Sequence, residues 1–340
     1  MSGSTSRLYN NTIARRILFT GTKASSVLVD TVGIEFILSA GAFHSPQMLM
    51  VSGIGPPEVL AQYQIPLIAG LPGVGQNLWD HPLFSISYRV ATATYLAMQS
   101  ADGLAAASAK YLCNRTGPLT NPGGDLVSFE KLPSSQQDAL SPKTRAALAQ
   151  SPPDWPEIEY LVQDGYAGPY TTMFNTAFMY ASPTVVLVAP LSRGNVTIAS
   201  HRTIDLPVVN PNWLTHRADQ ELAVAAFRRL RRMMDMPEVG RVTISEEVHP
   251  GRKVVSTDEE ILQYIRDTGI TAFHAAGTCK MGQTLQKDPM AVVDSRARVF
   301  GTTGLRVVDA SAMPFLVPGH PQGTICEWSV QGARHSCIFN

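Results

Sequence analysis

Two of the eight histidines lie among small residues, where a bulky molecule can approach the backbone closely. His274 stands in the stretch FHAAGT, and His320 stands in the stretch GHPQGT. An imidazole titrates near neutral pH, so either side chain can take or give a proton at a reacting oxygen. A single histidine beside apolar neighbours is, however, more often a hydrogen-bonded core residue than a catalyst. We expect acid-base chemistry only if the two imidazoles meet in one pocket.

Other common site patterns are absent from the sequence. It contains no GxSxG nucleophile turn, no HExxH or other paired metal spacing, and no phosphate-binding Walker loop. The four cysteines are irregularly spaced, which predicts buried or spare thiols of a reducing compartment rather than a metal site or a redox pair. His44, His81, Trp79 and Trp328 are interpreted as structural residues. No metal site is predicted.

The elements around the histidines have the pattern of a parallel α/β sheet. Residues 33–41 form an almost continuous apolar run that ends at glycine, as expected for a strand buried on both faces. Ser45 and Pro46 then fit the N-cap and the first position of a short helix. Residues 304–311 repeat the buried-strand pattern, and residues 325–334 can continue as a helix whose N-terminus favours an anion.

The middle of the chain has the pattern of an antiparallel sheet backed by helices. Residues 184–189 and 195–199 are rich in β-branched residues and are separated by a turn, which predicts a hairpin. Residues 218–234 carry apolar residues at helical spacing, and their four arginines are interpreted as a solvated face rather than a phosphate site. A capping box, TDEE, begins a second predicted helix. The polar residues 116–156 predict a long irregular excursion over the surface.

Composition excludes several classes of partner. The 340 residues include 27 basic and 27 acidic side chains, and no basic stretch is interleaved with aromatic residues, so nucleic-acid binding is not expected. The longest apolar runs are far shorter than the roughly 20 residues that a membrane-spanning helix needs. The first residues lack the apolar stretch of a signal peptide, which favours a cytoplasmic location.

Residues 41–55 of the sequence read GAFHSPQMLMVSGIG. This segment fits the second signature of the glucose-methanol-choline (GMC) flavin oxidoreductases at every constrained position, and over nearly all of its length the chain resembles the C-terminal part of such an enzyme. Further segments follow in the family's order and approximate spacing: LPGVGQNLWDHP, SRGNVTI, FHAAGTCKMG, AVVDSRARVFGTTGLRVVDASAMP and GHPQGT.

The resemblance implies oxidation of an alcohol, with hydride passing from carbon to the flavin N5 of FAD. By position in the motifs, His274 would be the base that takes the hydroxyl proton, and His320 would hydrogen-bond the substrate oxygen. The expected substrate is a small or medium apolar molecule with a hydroxyl or carbonyl group, in fungal secondary metabolism. The implied cofactor-binding residues lie at a glycine turn, at a strand end and at a helix start: Gly41, Ala42, Asp309, Ala310, Gln322 and Thr324.

The resemblance also implies the fold. We expect an α/β plus α+β chain in which residues 1–82 and 288–340 form an incomplete, Rossmann-like FAD-binding domain. Residues 83–287 are expected to form an inserted substrate-binding domain, built on an antiparallel sheet backed by helices. The family's βαβ unit with its GxGxxG phosphate turn is not found in the sequence, which puts FAD binding by this chain in question.

Three hypotheses follow from that difference. The chain can be part of an FAD-dependent enzyme whose activity belongs to a longer polypeptide. It can instead be a shortened, FAD-independent homologue that uses the histidine pair for a cyclisation, dehydration or pericyclic step. Finally, it can be a non-catalytic subunit, with a second copy or another chain completing the sheet.

Overall fold

A computed structural model describes residues 16–27, 31–32, 36–120, 123–169 and 177–337. The chain divides into two compact units. Unit 1 comprises residues 1–80, 192–213 and 273–340, and unit 2 comprises residues 81–191 and 214–272. The sequence prediction differs in placing residues 192–213 and 273–287 with the substrate-binding domain. The functional names of the two domains remain predictions.

The described residues form fifteen strands and eight α-helices. The strands are β1 (Ile17–Thr20), β2 (Lys23–Val27), β3 (Thr31–Val32), β4 (Phe36–Leu38), β5 (Ile54–Gly55), β6 (Ala69–Gly70), β7 (Pro82–Ser85), β8 (Tyr88–Val90), β9 (Gly124–Glu130), β10 (Ile158–Gln163), β11 (Met179–Leu187), β12 (Asn195–Thr197), β13 (Val208–Asn210), β14 (Ile270–Thr271) and β15 (Leu305–Val307). The helices are α1 (Gly41–Val51), α2 (Pro57–Gln62), α3 (Ala101–Asn114), α4 (Ser134–Gln137), α5 (Pro142–Leu148), α6 (Arg217–Met234), α7 (Asp258–Thr268) and α8 (Gln322–Cys337). No helix of the described part is long and apolar enough to cross a lipid bilayer.

Unit 1 contains four small sheets around one apolar core. β4 and β15 pair in parallel, as do β5 and β6, whereas β1–β2–β3 and β12–β13 are antiparallel. Both predicted strands are confirmed as β4 and β15, although residues 33–35 lie outside the described residues. β15 is buried as predicted, whereas Ile37 of β4 is 46% exposed, so burial on both faces is wrong for β4. The core packs α1 against these strands, with Leu49, Ile54 and Val307 fully buried.

Helix α1 begins at Gly41, so the predicted start at Ser45 is wrong. Pro46 lies inside the helix, where it cannot donate the N–H that would reach the carbonyl of Ala42 four residues earlier. That carbonyl instead accepts a hydrogen bond from the hydroxyl of Thr278 at 2.6 Å. A contact with a distant residue therefore allows the helix to start one turn before its proline.

Unit 2 contains a sheet of six strands in the order β14–β7–β11–β10–β9, with β8 also paired to β11. All its pairings are antiparallel, which confirms the predicted sheet. The predicted hairpin of residues 184–189 and 195–199 is wrong. β11 pairs with β10 and β7, whereas β12 pairs with β13.

The helices of unit 2 confirm the two strongest periodic patterns. α6 has the predicted bounds to within one residue, and it packs Phe227 at 6.3 Å, ring to ring, against Phe84 of the sheet. α7 starts with the predicted capping box, in which Thr257 accepts from the N–H of Glu260 and Glu260 accepts from the N–H of Thr257. Within the predicted irregular excursion, residues 116–156, the structure contains β9, α4 and α5.

Candidate active site

His274 and His320 lie side by side in unit 1. Their ring centroids are 5.0 Å apart and the ring planes meet at 80°, an edge-to-face arrangement. The His274 side chain is buried, whereas His320 is exposed. One imidazole thus faces into the protein and its neighbour remains accessible, so a molecule that reaches His320 is also close to His274. The two histidines meet in one place, as the acid-base hypothesis requires.

Burial keeps His274 neutral. Two causes together lower its pKa from the ordinary 6.5 to about 4: loss of hydration on burial, which is the larger, and the nearby His320 imidazole, whose positive charge would repel a second one. At neutral pH the ring therefore has one nitrogen free of a proton. A neutral imidazole is the form that can accept a proton from a hydroxyl group.

Two neighbouring segments hold the backbone around His274. The N–H of His274 donates to the buried carboxylate of Asp80 at 3.1 Å. On the other side, the N–H of Gly277 donates to the carbonyl of Ala310 at 3.0 Å, and the N–H of Cys279 donates to the carbonyl of Ser311 at 2.7 Å. The short segment that carries the first histidine is therefore fixed from both edges.

Helix α8 and the loop before it carry His320. The loop turns at Gly319, whose φ of +95° is favourable only for glycine. The helix then begins with Gln322, and its first turn is closed by a hydrogen bond from the N–H of Ile325 to the carbonyl of Pro321. Gln322 and Thr324 are both exposed, two and four residues after the histidine. They belong to the same end of α8 as His320.

Asp309 connects the end of β15 with the start of α1. One carboxylate oxygen accepts from the N–H of Gly41 at 2.9 Å and from the hydroxyl of Ser45 at 2.5 Å, and the other accepts from the N–H of Ser311 at 2.8 Å. A negative charge at a helix N-terminus is stabilising because the helix dipole is positive there. Asp309 thus joins two of the predicted cofactor-binding segments.

The remaining predicted residues occupy the same two segments. Ala42 is buried in the first turn of α1, and its carbonyl accepts from Thr278. Ala310 begins a short 3-10 helix, Ala310–Ala312, directly after Asp309. Their proximity to a cofactor remains a prediction.

Sequence reasoning missed two residues that position the site. Asp80 lies 194 residues before the His274 N–H that it binds, and Thr278 lies 236 residues after the Ala42 carbonyl that it binds. Neither partner is visible in local periodicity. Both missed residues lie inside the quoted segments LPGVGQNLWDHP and FHAAGTCKMG, so the only available signal was that resemblance.

Comparison with known proteins identifies the family. Two models of the GMC oxidoreductase family match the chain, the N-terminal one over residues 2–83 and the C-terminal one over residues 190–327. The chain belongs to the GMC oxidoreductase family.

The relatives of this chain include two fungal synthases. The chain is 48% identical over 333 residues to patulin synthase of Aspergillus clavatus, covering 94% of this chain and 52% of that protein. It is 41% identical over 337 residues to versicolorin B synthase of Aspergillus parasiticus, covering 96% and 51%. This GMC chain therefore spans about half the length of the curated relatives it matches.

Solved structures show the same fold. A formate oxidase of Aspergillus oryzae, studied for modification of its FAD, superposes with a TM-score of 0.84 at 25% identity, covering 95% of this chain and 59% of that one. The predicted GMC resemblance and the predicted mixed α/β fold are both confirmed.

Proposed function

We propose that this GMC chain carries the proton-handling half of an alcohol oxidation. His274 takes the hydroxyl proton of the substrate, and His320 hydrogen-bonds the same oxygen. The observation that carries the proposal is the 5.0 Å edge-to-face pair formed by a buried, neutral imidazole and an exposed one. A base must be unprotonated at the working pH, and the lowered pKa of His274 meets that condition.

The chemistry of the surrounding residues fits FAD. A Cβ added at Gly41 or at Gly323 would meet nothing within 4 Å, so another molecule can approach the backbone closely in the first turns of α1 and α8. The N-terminus of α1 already holds the Asp309 carboxylate, so space there suits an uncharged part of the cofactor, whereas a helix N-terminus such as that of α8 favours an anionic part. Gly41, Ala42, Asp309 and Ala310 would hold the cofactor at one segment, and Gln322 and Thr324 at the other. When bound, FAD supplies the acceptor for the hydride that leaves the substrate carbon.

The substrate follows from the side chains at the site. Both proton-handling groups are imidazoles, and the lowered pKa of His274 leaves that ring uncharged at neutral pH. An apolar molecule with one hydroxyl or carbonyl group suits this pair better than a carboxylate or phosphate does. Relatives named as synthases of patulin and versicolorin B support a role in fungal secondary metabolism.

The test combines absorption with activity. The purified chain is incubated with FAD, freed of unbound flavin, and its visible spectrum recorded around ~450 nm, where bound flavin absorbs. Oxidation of benzyl alcohol, an apolar aromatic alcohol, is then measured with a dye as electron acceptor. We expect His274→Ala to lower kcat about 10²- to 10⁴-fold and His320→Ala to lower it about 10- to 100-fold.

Matched controls separate the possible outcomes. His201→Ala, at an exposed loop histidine, should leave the rate unchanged. Unaltered oxidation in His274→Ala would contradict the proposal. A colourless protein that converts a substrate only while His274 is present would instead support FAD-independent acid-base chemistry, which the imidazole pair can also perform.

A further inference from the structure

Residues 75–80, the last of the first part of unit 1, run alongside residues 274–278, the segment that carries His274. Trp79 and Ala276 exchange two backbone hydrogen bonds of 3.0 and 2.8 Å, as in an antiparallel pair. The N–H of Gly75 donates to the carbonyl of Thr278 at 2.8 Å. The two segments are therefore paired along most of their length, and the pairing ends at Asp80 and His274.

Asp80 holds the point at which the histidine backbone changes direction. Phe273, directly before His274, has a left-handed backbone with φ of +63°, although it has a Cβ and its side chain is 86% exposed. Such a conformation costs free energy and persists only where the surroundings impose it. The Asp80 carboxylate accepts a hydrogen bond from the next N–H, that of His274, and Asp80 is only 7% exposed. A buried acceptor thus fixes the peptide that aims the His274 ring.

Trp79 contacts the segment that leads to the other histidine. Its ring packs against the apolar cluster of Ala276, Met313 and Leu316, which Ile325 of α8 also joins. The guanidinium of Arg193 also lies over the Trp79 ring, with its central carbon 3.3 Å from the ring centroid. A cation above an indole is attracted to the face of the ring, which limits its freedom to turn.

We propose that Asp80 and Trp79 are positioning residues that together set the spacing between the rings of His274 and His320. Asp80 acts on His274 through its backbone N–H, and Trp79 supports the loop and helix start that carry His320. Neither side chain takes part in proton transfer. The catalytic consequence rests on the proposed function, because ring spacing alters the rate only if both imidazoles contact the substrate oxygen.

The experiment compares variants of the full chain. Asp80→Ala removes the acceptor, whereas Asp80→Asn retains a carbonyl oxygen that can accept from the same N–H. Trp79→Phe keeps an aromatic ring but reduces its size. Asp219→Ala is the matched control, since Asp219 is also a buried carboxylate that accepts a backbone N–H, that of Leu191 at 2.8 Å, in unit 2.

The first readout does not depend on turnover. With imidazole carbons labelled, NMR follows the titration of the His274 ring and the nuclear Overhauser contact between the two histidine rings. In Asp80→Ala we expect the titration midpoint to move up towards about 6.5, the value of a hydrated imidazole, and the contact to be lost. Asp80→Asn and Asp219→Ala should keep both signals, and Trp79→Phe should weaken the contact only.

The second readout is benzyl alcohol oxidation with FAD present. We expect Asp80→Ala to lower kcat about 10- to 100-fold with little change in KM, because a displaced base affects the chemical step more than binding. The positioning proposal also requires that Asp80→Asn keep a kcat close to that of the wild type. If Asp80→Ala keeps the wild-type titration and ring contact, or if Asp219→Ala disturbs them equally, the positioning proposal is wrong. If the NMR changes occur but no variant, nor the wild type, oxidises the alcohol, the proposed function is wrong and the positioning role remains.

Discussion

At the scale of single residues, the properties of the site come from where each side chain is buried. His274 is an ordinary imidazole whose pKa is lowered to about 4 because burial removes its hydration and because His320 lies beside it. His249 in unit 2 is also buried, and burial lowers its pKa as well, but its neighbours are the rings of Tyr166 and Tyr264. Burial alone therefore produces a neutral histidine, and the adjacent second imidazole distinguishes the candidate site.

The lowered pKa of His274 predicts a stability that depends on pH. The unfolded chain binds a proton on this ring below about pH 6.5, whereas the folded chain binds it only below about pH 4. As the pH falls between these values, proton binding therefore stabilises the unfolded state and the free energy of unfolding decreases. We expect the wild type to lose about 2 kcal/mol more than His274→Asn between pH 7 and pH 5. Urea unfolding followed by tryptophan fluorescence measures both. Equal losses in the two proteins would contradict the prediction, and His249 contributes equally to both.

Two arginines of α6 are predicted to differ in their contribution to stability. Arg231 makes a bidentate ion pair with Glu247, whose side chain is fully buried, whereas Arg228 pairs with Asp258 in solvent. Removing one partner of a buried pair leaves an uncompensated charge, so Glu247→Ala should cost about 3–5 kcal/mol of unfolding free energy. Arg228→Ala should cost about 0–1 kcal/mol. Chemical denaturation of both variants provides the measurement, and similar costs would show that burial of the pair is unimportant.

At the scale of elements, α1 illustrates how a helix can contain a proline in its second turn. Pro46 leaves the Ala42 carbonyl without its helical donor, and Thr278 supplies a replacement from another segment. The helix start is further held by Asp309, which accepts from the N–H of Gly41 and from the hydroxyl of Ser45. The same contacts connect α1 to the segment that carries His274, so helix stability and site geometry are coupled.

A double-mutant cycle tests the role of Thr278. Thr278→Val keeps the shape of the side chain but leaves the buried Ala42 carbonyl without a donor, which should cost about 1–3 kcal/mol. In a Pro46→Ala background the new N–H of residue 46 can reach that carbonyl, so the same substitution should cost about 1 kcal/mol less. Unfolding free energies of the four proteins give the coupling. Strict additivity would show that Pro46 and Thr278 do not share the carbonyl.

The sequence predicted the elements whose determinants are local. α6 and α7 follow from apolar spacing and a capping box within their own residues, and β4 and β15 follow from short apolar runs. The wrong predictions depend on distant partners. The helix start depends on Thr278, and β11 pairs with the distant β7 rather than with the nearby β12.

The candidate site was predictable to the same extent. The two histidines were identified from their motifs, and their proximity is a consequence of the fold that a motif match can only imply. The interpretation of the α6 arginines as a solvated face was wrong for Arg231, because Glu247, sixteen residues later, folds back onto it. A long-range contact made through a backbone N–H, such as that of Asp80, has no signature in a single sequence.

At the scale of the whole molecule, charge balance and exposed apolar strands affect solubility. The 27 basic and 27 acidic side chains give no net charge at pH 7, so electrostatic repulsion between copies is weak. In unit 2 the sheet ends at β9, which pairs only with β10 among the described strands. Leu126, Val127 and Phe129 of β9 are 62%, 44% and 46% exposed. An edge strand with apolar side chains can pair with another chain.

We therefore predict that the chain self-associates through β9 at neutral pH and that Leu126→Lys reduces this association. A lysine on an edge strand opposes pairing because its charge would have to lose water against the incoming strand. Leu104→Lys, at a residue of α3 that is 48% exposed, introduces the same charge where the backbone is already hydrogen-bonded within a helix. Sedimentation velocity over a range of concentrations should show a smaller weight-average mass for Leu126→Lys only. Pairing at the edge of β9 is sensitive to a lysine on that strand but not to a lysine on a helix. If both lysines reduce association equally, the change in net charge is responsible and the edge of β9 is not.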